Sequence, residues 1–402
     1  MTERRAGALP LVVYVLAAGA FLMGTTAFVI AGLLPEISAD LNVSVARAGL
    51  LVSFFAVGVA VGAPVVAVLT LRLPRRSTLV LAMLVFAVGH VVAALGDSFT
   101  VVAAARLLTA MATGAFWATA AVLAAEAAGP QASARAIGVV VSGLTVAIVV
   151  GVPAGSWAGH LSGWRGPFWA LAVLAVVGSV AVARLVPADT ARASASLRDE
   201  LGALRNRQLW LVLAATALVQ AGIEGAYAYV SPLLTDEAGL SQGLVPLALI
   251  GFGAGASAGT TIGGRLGDQR AHATAVVAAT LTSATLLMLA LAASGSFAAV
   301  ALIACVGAVG FALSPVLVAM ALHYAGPAST IASSLTITAF NAGIAAGVAF
   351  AGLSLSTGLG LRGPSSVGAV LTGLALIPLA ALRIRPGVRC RTAQFALGGE
   401  AS

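Results

Sequence analysis

The chain contains no lysine; all 21 of its basic residues are arginine. It has only 13 acidic residues, 4 histidines and 2 cysteines among 402 residues. Charged residues make up 8% of the chain, against roughly a quarter in a soluble domain. So little charge cannot cover a water-facing surface, which excludes an ordinary soluble protein. Two cysteines cannot form a disulfide framework. Cys305 falls in an apolar run and Cys390 in a polar tail, and both read as free thiols. The histidines are scattered without metal-ligand spacing, so neither a metal nor a cofactor is expected. There is no Walker loop or nucleotide domain, which argues against an ATP-driven pump. The basic clusters are short and lack interleaved aromatics, so no nucleic-acid partner is expected.

What the chain has is apolar length. Hydrophobic residues make up 60%, and the mean hydropathy is +1.07. Apolar runs, each long enough to cross a bilayer as a helix, lie near 9–34, 49–70, 77–96, 100–125, 136–159 and 167–186. A second set lies near 209–233, 244–263, 274–293, 297–322, 331–355 and 366–382. In lipid each must satisfy its own backbone, and a β-barrel would instead show short alternating segments. The expected fold is therefore all-α and polytopic, with twelve membrane helices. The first run is too long for a signal-peptide core and reads as the first helix. A polar linker at 187–208 divides six helices (1–186) from six (209–385), and residues 386–402 read as a polar tail.

Arginine placement gives an orientation. If the N-terminus is cytoplasmic, seventeen arginines fall on the cytoplasmic side, among them Arg72, Arg75 and Arg76. Only Arg47, Arg165 and Arg362 fall outside, and Arg106 lies within the fourth helix. The positive-inside rule then places both termini in the cytoplasm. The pI of about 10.9 reports topology.

The halves look like weak repeats. Pro35 and Pro232 are 197 residues apart, as are Leu71 and Asp268, while Gly151 and Gly347 are 196 apart. Chance among abundant Gly and Leu is the alternative. Parallel six-helix repeats put a substrate site near the midplane between the halves.

Several motifs fall on the helices where one large family carries them. The first helix reads Gly24-Thr-Thr-Ala-Phe-Val-Ile-Ala-Gly-Leu-Leu-Pro35-Glu. The turn after the second reads Leu69-Thr-Leu-Arg72-Leu-Pro-Arg75-Arg76, and its second-half copy reads Gly264-Arg-Leu-Gly-Asp268-Gln-Arg270. The fourth helix embeds Arg106, followed by Gly114. The fifth reads Gly143-Leu-Thr-Val-Ala-Ile-Val-Val-Gly151-Val-Pro153-Ala-Gly155, and Gly163-Trp-Arg-Gly-Pro-Phe-Trp169 follows. The eleventh carries Phe340-Asn341-Ala-Gly343-Ile-Ala-Ala-Gly347. From about Leu9 to Arg385 the chain resembles the major facilitator superfamily, specifically its twelve-helix drug:proton antiporters. Within these it is most similar to bacterial chloramphenicol-resistance exporters and sugar-efflux permeases. The resemblance implies two six-helix bundles in a bacterial inner membrane. It also implies a small-molecule substrate, protons as coupling ion and a monomer. Exchange of an amphipathic drug for protons is the leading expectation. A sugar or small-metabolite permease and a non-transporting sensor of the same fold stay open.

The residues add their own physics. Gly151, Gly155 and Gly159 share one helix face and let another backbone approach closely, while Pro153 permits a bend. Static packing would use the same residues. Arg72, Arg75 and Arg76 either anchor topology or form a cytoplasmic latch, with Asp268 supplying the acid that Leu71 lacks. Ionisable groups inside lipid are functional candidates because they are costly. Those here are Glu224, Arg106 and His90, the candidates for proton coupling. The alternatives are a neutral or Arg-paired structural Glu224 and a structural Arg106 charge satisfied by carbonyls, while His90 reads first as a packed, hydrogen-bonded histidine and second as a proton relay. The family's close relatives commonly carry a glutamate just before Phe28, where this chain has Ala27. At an offset of 197, position 27 maps onto Glu224, as if the acid had moved to the seventh helix. Arg106 is expected to pair with Glu224 or to orient polar groups. Phe116, Trp117, Tyr227, Tyr229 and Asn341 are candidate cavity residues, each with plain packing as the alternative. Gly255-Ala-Ser257-Ala-Gly259 matches a nucleophile elbow, but no strand precedes it, so it reads as small-residue packing and not as an enzyme site.

Overall fold

The computed structural model describes residues 9–69, 73–129, 132–186, 206–292, 295–325 and 329–382. Among these the regular structure is entirely helical. The first half contains α1 (Leu11–Asp40), α2 (Val45–Leu69), α3 (Arg75–Leu95), α4 (Phe99–Ala128), α5 and α6 (Arg165–Leu185). Helix α5 runs Ser133–Val146, passes through a π-helical turn at Ala147–Gly151 and continues as Val152–Ser162. In the second half α7 (Arg207–Tyr227) is extended by Val230–Pro232 and a π-helical turn at Leu233–Glu237. Helices α8 and α9 share the stretch Val245–Ala292 and are divided at Arg270, whose φ of −146° and ψ of 60° are not helical. Then come α10 (Ser296–Phe311 and Leu313–Ala325), α11 (Ser329–Ser354) and α12 (Gly363–Leu374 and Leu376–Ala381).

Eleven stretches of the described residues are long and apolar enough to cross a membrane, and one of them, Gln242–Ala292, holds both α8 and α9. The result is twelve spans in two six-helix bundles. Most of the expected linker (187–205), the tail from 386 onward and Arg72 lie outside the described residues. An even number of spans puts both chain ends on one side, here called the termini side; the other is the far side.

Helix ends follow local chemistry. Ser98 caps α4 by accepting from the Val101 N–H, and Asn206 caps α7 by accepting from the Gln208 N–H. Gly129 and Gly163, at φ of 78° and 79°, terminate α4 and α5 in a backbone region other residues avoid. The π turn in α5 has a cause as well. Pro153 has no N–H to give, and the preceding Val152 N–H reaches back five residues to the Ala147 carbonyl.

Glycine sets the helix spacing. Gly151, Gly155 and Gly159 of α5 lie against Thr25, Val29 and Leu33 of α1. Gly343 and Gly347 of α11 lie against the Ala217 and Ala221 backbone of α7. In all five pairs the partners are 126 residues apart in sequence, so one packing node recurs in both halves. Gly255, Gly259 and Gly263 of α8 likewise meet the Ala304, Ala308 and Ala312 carbonyls of α10. Ser257 in that stretch donates to the Gly253 carbonyl of its own helix at 2.9 Å.

Gly347→Val would drive a side chain into the α7 backbone. It is expected to cost about 3 kcal/mol and to lower the melting temperature of the purified protein. Gly138→Val, at a position with open space around it, is expected to melt like the parent. Equal melting of the two variants would contradict the glycine-spaced packing.

Candidate functional site

The halves meet through α1, α2 and α5 on one side and α7, α8 and α11 on the other. Gln242 Nε2 donates to Glu36 Oε1 at 3.3 Å on the far side. Deeper in, Ser53 Oγ donates to the Ala345 carbonyl at 3.0 Å, and Thr338 Oγ1 lies 3.5 Å from the Ala60 carbonyl near mid-depth. Gly253 of α8 lies against Ile148 and Val149, in the π turn of α5. Phe28 of α1 meets Tyr227 of α7 edge-on at 6.1 Å, and Tyr227 stacks on Phe252 of α8 at 4.3 Å.

Glu224 lies on α7 one turn before Tyr227, whose ring meets Phe28 of the first half. On α7, Gly222 faces α12, Ile223 faces Gly310 of α10, and Gly225 faces Gly347 of α11. At about 100° per residue, position 224 points away from α12, between α10 and α11. Gln220 and Tyr227 lie on the same face at spacings of four and three. All three side chains are buried, and Gln220 Oε1, Glu224 Oε1 and Tyr227 Oη lack a hydrogen-bond partner in the protein. Buried polar atoms without partners are uncommon and mark places where a ligand or water is expected.

The α1–α5 and α7–α11 contacts share one 126-residue separation, and pairing Gly151 with Gly347 gives an offset of 196, at which Ala27 is equated with Ile223 and Phe28 with Glu224. At that offset the acid stands one residue on from the counterpart of position 27, turned by about 100°.

Arg106 is engaged elsewhere. It is 1% exposed, and its Nη1 donates to the Thr26 carbonyl and to Thr26 Oγ1, each at 2.9 Å. Its guanidinium lies over the Phe55 ring at 4.1 Å, and Nε lies 3.5 Å from the Leu51 carbonyl. Ala27 packs against Phe55 in a small apolar cluster with Val59 and Ala110. Every ion pair seen among the described residues involves other groups, and both Arg106 Nη2 and Glu224 Oε1 lack hydrogen-bond partners. The expected Arg106–Glu224 pair is therefore not formed in this conformation. His90 shares the Arg106 network: its Nε2 lies 2.8 Å from Thr26 Oγ1 and its Nδ1 2.8 Å from the Phe86 carbonyl.

The other expected residues are dispersed. Phe116 is fully buried against Gly19 in the core of the first half, which places it in packing and not on a cavity wall; Trp117 is half-buried beside it. Tyr229 is buried at the junction of α2, α7 and α11, seated on Gly49 and Gly352, and not in a cavity. Its hydroxyl lies 3.1 Å from the Val348 carbonyl and 3.4 Å from the Ala46 carbonyl. Asn341 donates to the Ile337 carbonyl of its own helix. Gly151 and Pro153 lie at and just after the π turn, and Gly155 lies one turn beyond Gly151. Arg75 pairs with Glu126 at the end of α4. Asp268 is exposed, and no ion pair joins it to Arg265 or Arg270 among the described residues. Sequence reasoning overlooked Thr26, Gln220 and Phe252. Gln220 had a signal, one turn before Glu224. It also overlooked Glu36, which pairs with His160 Nδ1 at 2.6 Å within the first half while accepting from Gln242 of the second.

Comparison with known proteins agrees with this architecture. The profile of the Major Facilitator Superfamily matches residues 16–247. A protein from Streptomyces lividans described as a chloramphenicol resistance protein is 40% identical over 373 residues, covering 92% of this chain and 95% of its own. The inner membrane transport protein YdhP of Escherichia coli K12 is 35% identical over 362 residues, covering 90% and 93%. Among solved structures, a bacterial homolog of the human lysosomal transporter Spinster aligns with a TM-score of 0.70 at 18% identity, covering 92% of this chain and 94% of the other. The transporter FucP aligns with a TM-score of 0.62 at 14% identity, covering 92% and 98%.

The far-side junction gives a prediction. Gly49→Val removes the seat of Tyr229 and is expected to loosen the contact between α2 and α11. A single reporter, Ser53→Cys in a Cys305→Ser, Cys390→Ser background, should then react several-fold faster with a membrane-impermeant maleimide. An unchanged labelling rate would show that Tyr229 does not hold this junction shut.

Proposed function

The chain belongs to the major facilitator superfamily, and from that membership we propose that it is a secondary active exporter of small amphipathic drugs, chloramphenicol-like in kind, driven by proton antiport. The observation that carries the coupling is Glu224. It is a buried carboxyl near mid-depth, one turn from the Tyr227–Phe28 contact between the halves, with an oxygen that no protein group satisfies. Such a group can exchange a proton with whichever side the protein opens to, and a bound substrate competes with that exchange through the site or its conformation. The substrate class is supported by the Streptomyces lividans relative and by the aromatic surface of Phe28, Tyr227 and Phe252 beside Glu224, since flat rings suit planar, partly apolar ligands.

On this reading the protein works as a monomer in a bacterial cytoplasmic membrane. The arginine distribution puts the termini side in the cytoplasm. The hydrogen bonds between the halves then close the outer side, and the conformation faces inward. Gly151, Pro153 and Gly155 let α5 rock against α1 and α8, while Arg75, Arg76 and Asp268 serve the cytoplasmic turns. Residues 1–186 and 209–385 are the two rocking units.

Expressed in pump-deficient cells, the protein is expected to lower chloramphenicol accumulation, and an uncoupler should abolish the effect. Glu224→Gln, with wild-type abundance in the membrane, should lose transport by roughly tenfold or more. Uncoupler-sensitive export that survives Glu224→Gln would remove this acid from the mechanism. Unchanged accumulation with well-expressed wild type would remove the amphenicol assignment, and a sugar and metabolite screen would then decide the substrate.

A further inference from the structure

Thr26 Oγ1 sits between two nitrogens, Arg106 Nη1 at 2.9 Å and His90 Nε2 at 2.8 Å. The hydrogens in this chain can be assigned from the far end. His90 Nδ1 lies 2.8 Å from the Phe86 carbonyl, which only accepts, so Nδ1 carries a hydrogen. Arginine only donates, so Nη1 fills one lone pair of the threonine hydroxyl. The hydroxyl has a single hydrogen, and His90 Nε2 is positioned to accept it. The donor direction is then fixed throughout: Arg106 to Thr26, Thr26 to His90, His90 to Phe86. A second proton on His90 would reverse the middle bond, leave the hydroxyl hydrogen unplaced and set two cations on one oxygen.

The surroundings provide nothing to compensate. The ring is fully buried between Phe86 of α3, centroids 4.0 Å apart, and Phe168 of α6 at 5.7 Å. Thr26 faces it from α1, and Arg106 of α4 stands beyond Thr26. No ion pair to His90 is seen among the described residues.

We propose that His90 is a positioning residue and not a proton carrier: as the Nδ1–H tautomer it holds the Thr26 hydroxyl, and through it holds Arg106 against α1. Three helices of the first half are thereby joined at one oxygen. The functional half of the inference rests on the transport reading above; the hydrogen-bond chain does not.

Two measurements separate these. In purified full-length protein, Thr26→Val and His90→Leu should each lower the melting temperature, and the double variant should lose little more than either alone. Additive losses would overturn the chain, whatever the substrate. In cells, His90→Gln places an amide oxygen near the accepting nitrogen but cannot relay a proton. It is expected to transport within about twofold of wild type with an unchanged pH profile, while His90→Leu falls roughly tenfold. A folded His90→Gln as inactive as His90→Leu, or one with an altered pH profile, would make His90 a proton carrier and end the proposal. Wild-type transport by both would end it too. Should His90→Gln misfold, Thr26→Ser, which keeps the hydroxyl, must transport where Thr26→Val does not. If wild type moves no chloramphenicol, the transport reading fails by itself and the melting cycle still decides the chain.

Discussion

Helices in a bilayer gain nothing from hiding apolar side chains from water, because lipid is as apolar as leucine. What holds them is how closely their backbones fit, and here glycine sets that distance. Gly151, Gly155 and Gly159 seat α5 on α1; Gly343 and Gly347 seat α11 on α7; Gly255, Gly259 and Gly263 seat α8 on α10. The interface between the halves follows from this spacing. Gly253 lets α8 reach the π turn of α5, and Gly49 and Gly352 leave room for the Tyr229 ring between α2 and α11.

The same node in both halves makes their difference readable. In the first half, the residue at the position equivalent to Ile223 is Ala27, and the space near it is governed by a buried cation bound to neutral acceptors and to a phenyl face. In the second, the acid stands one residue further round, between α10 and α11 and one turn from the Tyr227–Phe28 contact. On the proposed reading the first half is a fixed clamp and the second carries the exchangeable proton. Exchange beside the interface senses which side is open, whereas a group closed inside one bundle would not.

Much of this was legible in sequence because lipid imposes simple periodicities. The span centres, the kink near Pro153 and the close approach of Gly151 and Gly347 follow from run length, a missing N–H and side-chain volume. The unread parts depend on angles that sequence spacing does not resolve. Pro35 and Pro232 give an offset of 197 and Gly151 and Gly347 one of 196, and one residue is enough to turn a side chain from one neighbouring helix to another. Phe116 and Tyr229 looked like cavity walls because aromatics suit ligands. Gly19 and Gly49 supply the hollows that absorb them, and those glycines lie nearly a hundred or more residues away in sequence. Thr26 gave no signal, since its role exists only where α1, α3 and α4 meet.

The distribution of polar bonds bears on how the halves move. Every ion pair seen among the described residues lies within one half: Arg75–Glu126, His160–Glu36, Arg165 with Asp40 and Asp97, and Arg362–Glu237. The bonds that cross between halves are single and mostly long, at 3.0, 3.3, 3.4 and 3.5 Å. Each such bond contributes about 1 kcal/mol net or less. The polar ties between the halves are therefore few and weak, and the close packing of α2 on α11 supplies most of their contact. On the proposed reading, one proton gained or lost at the buried Glu224 carboxyl changes the energy by an amount comparable to a few such bonds. A single titrating group beside the seam would then bias which side of the membrane the site faces.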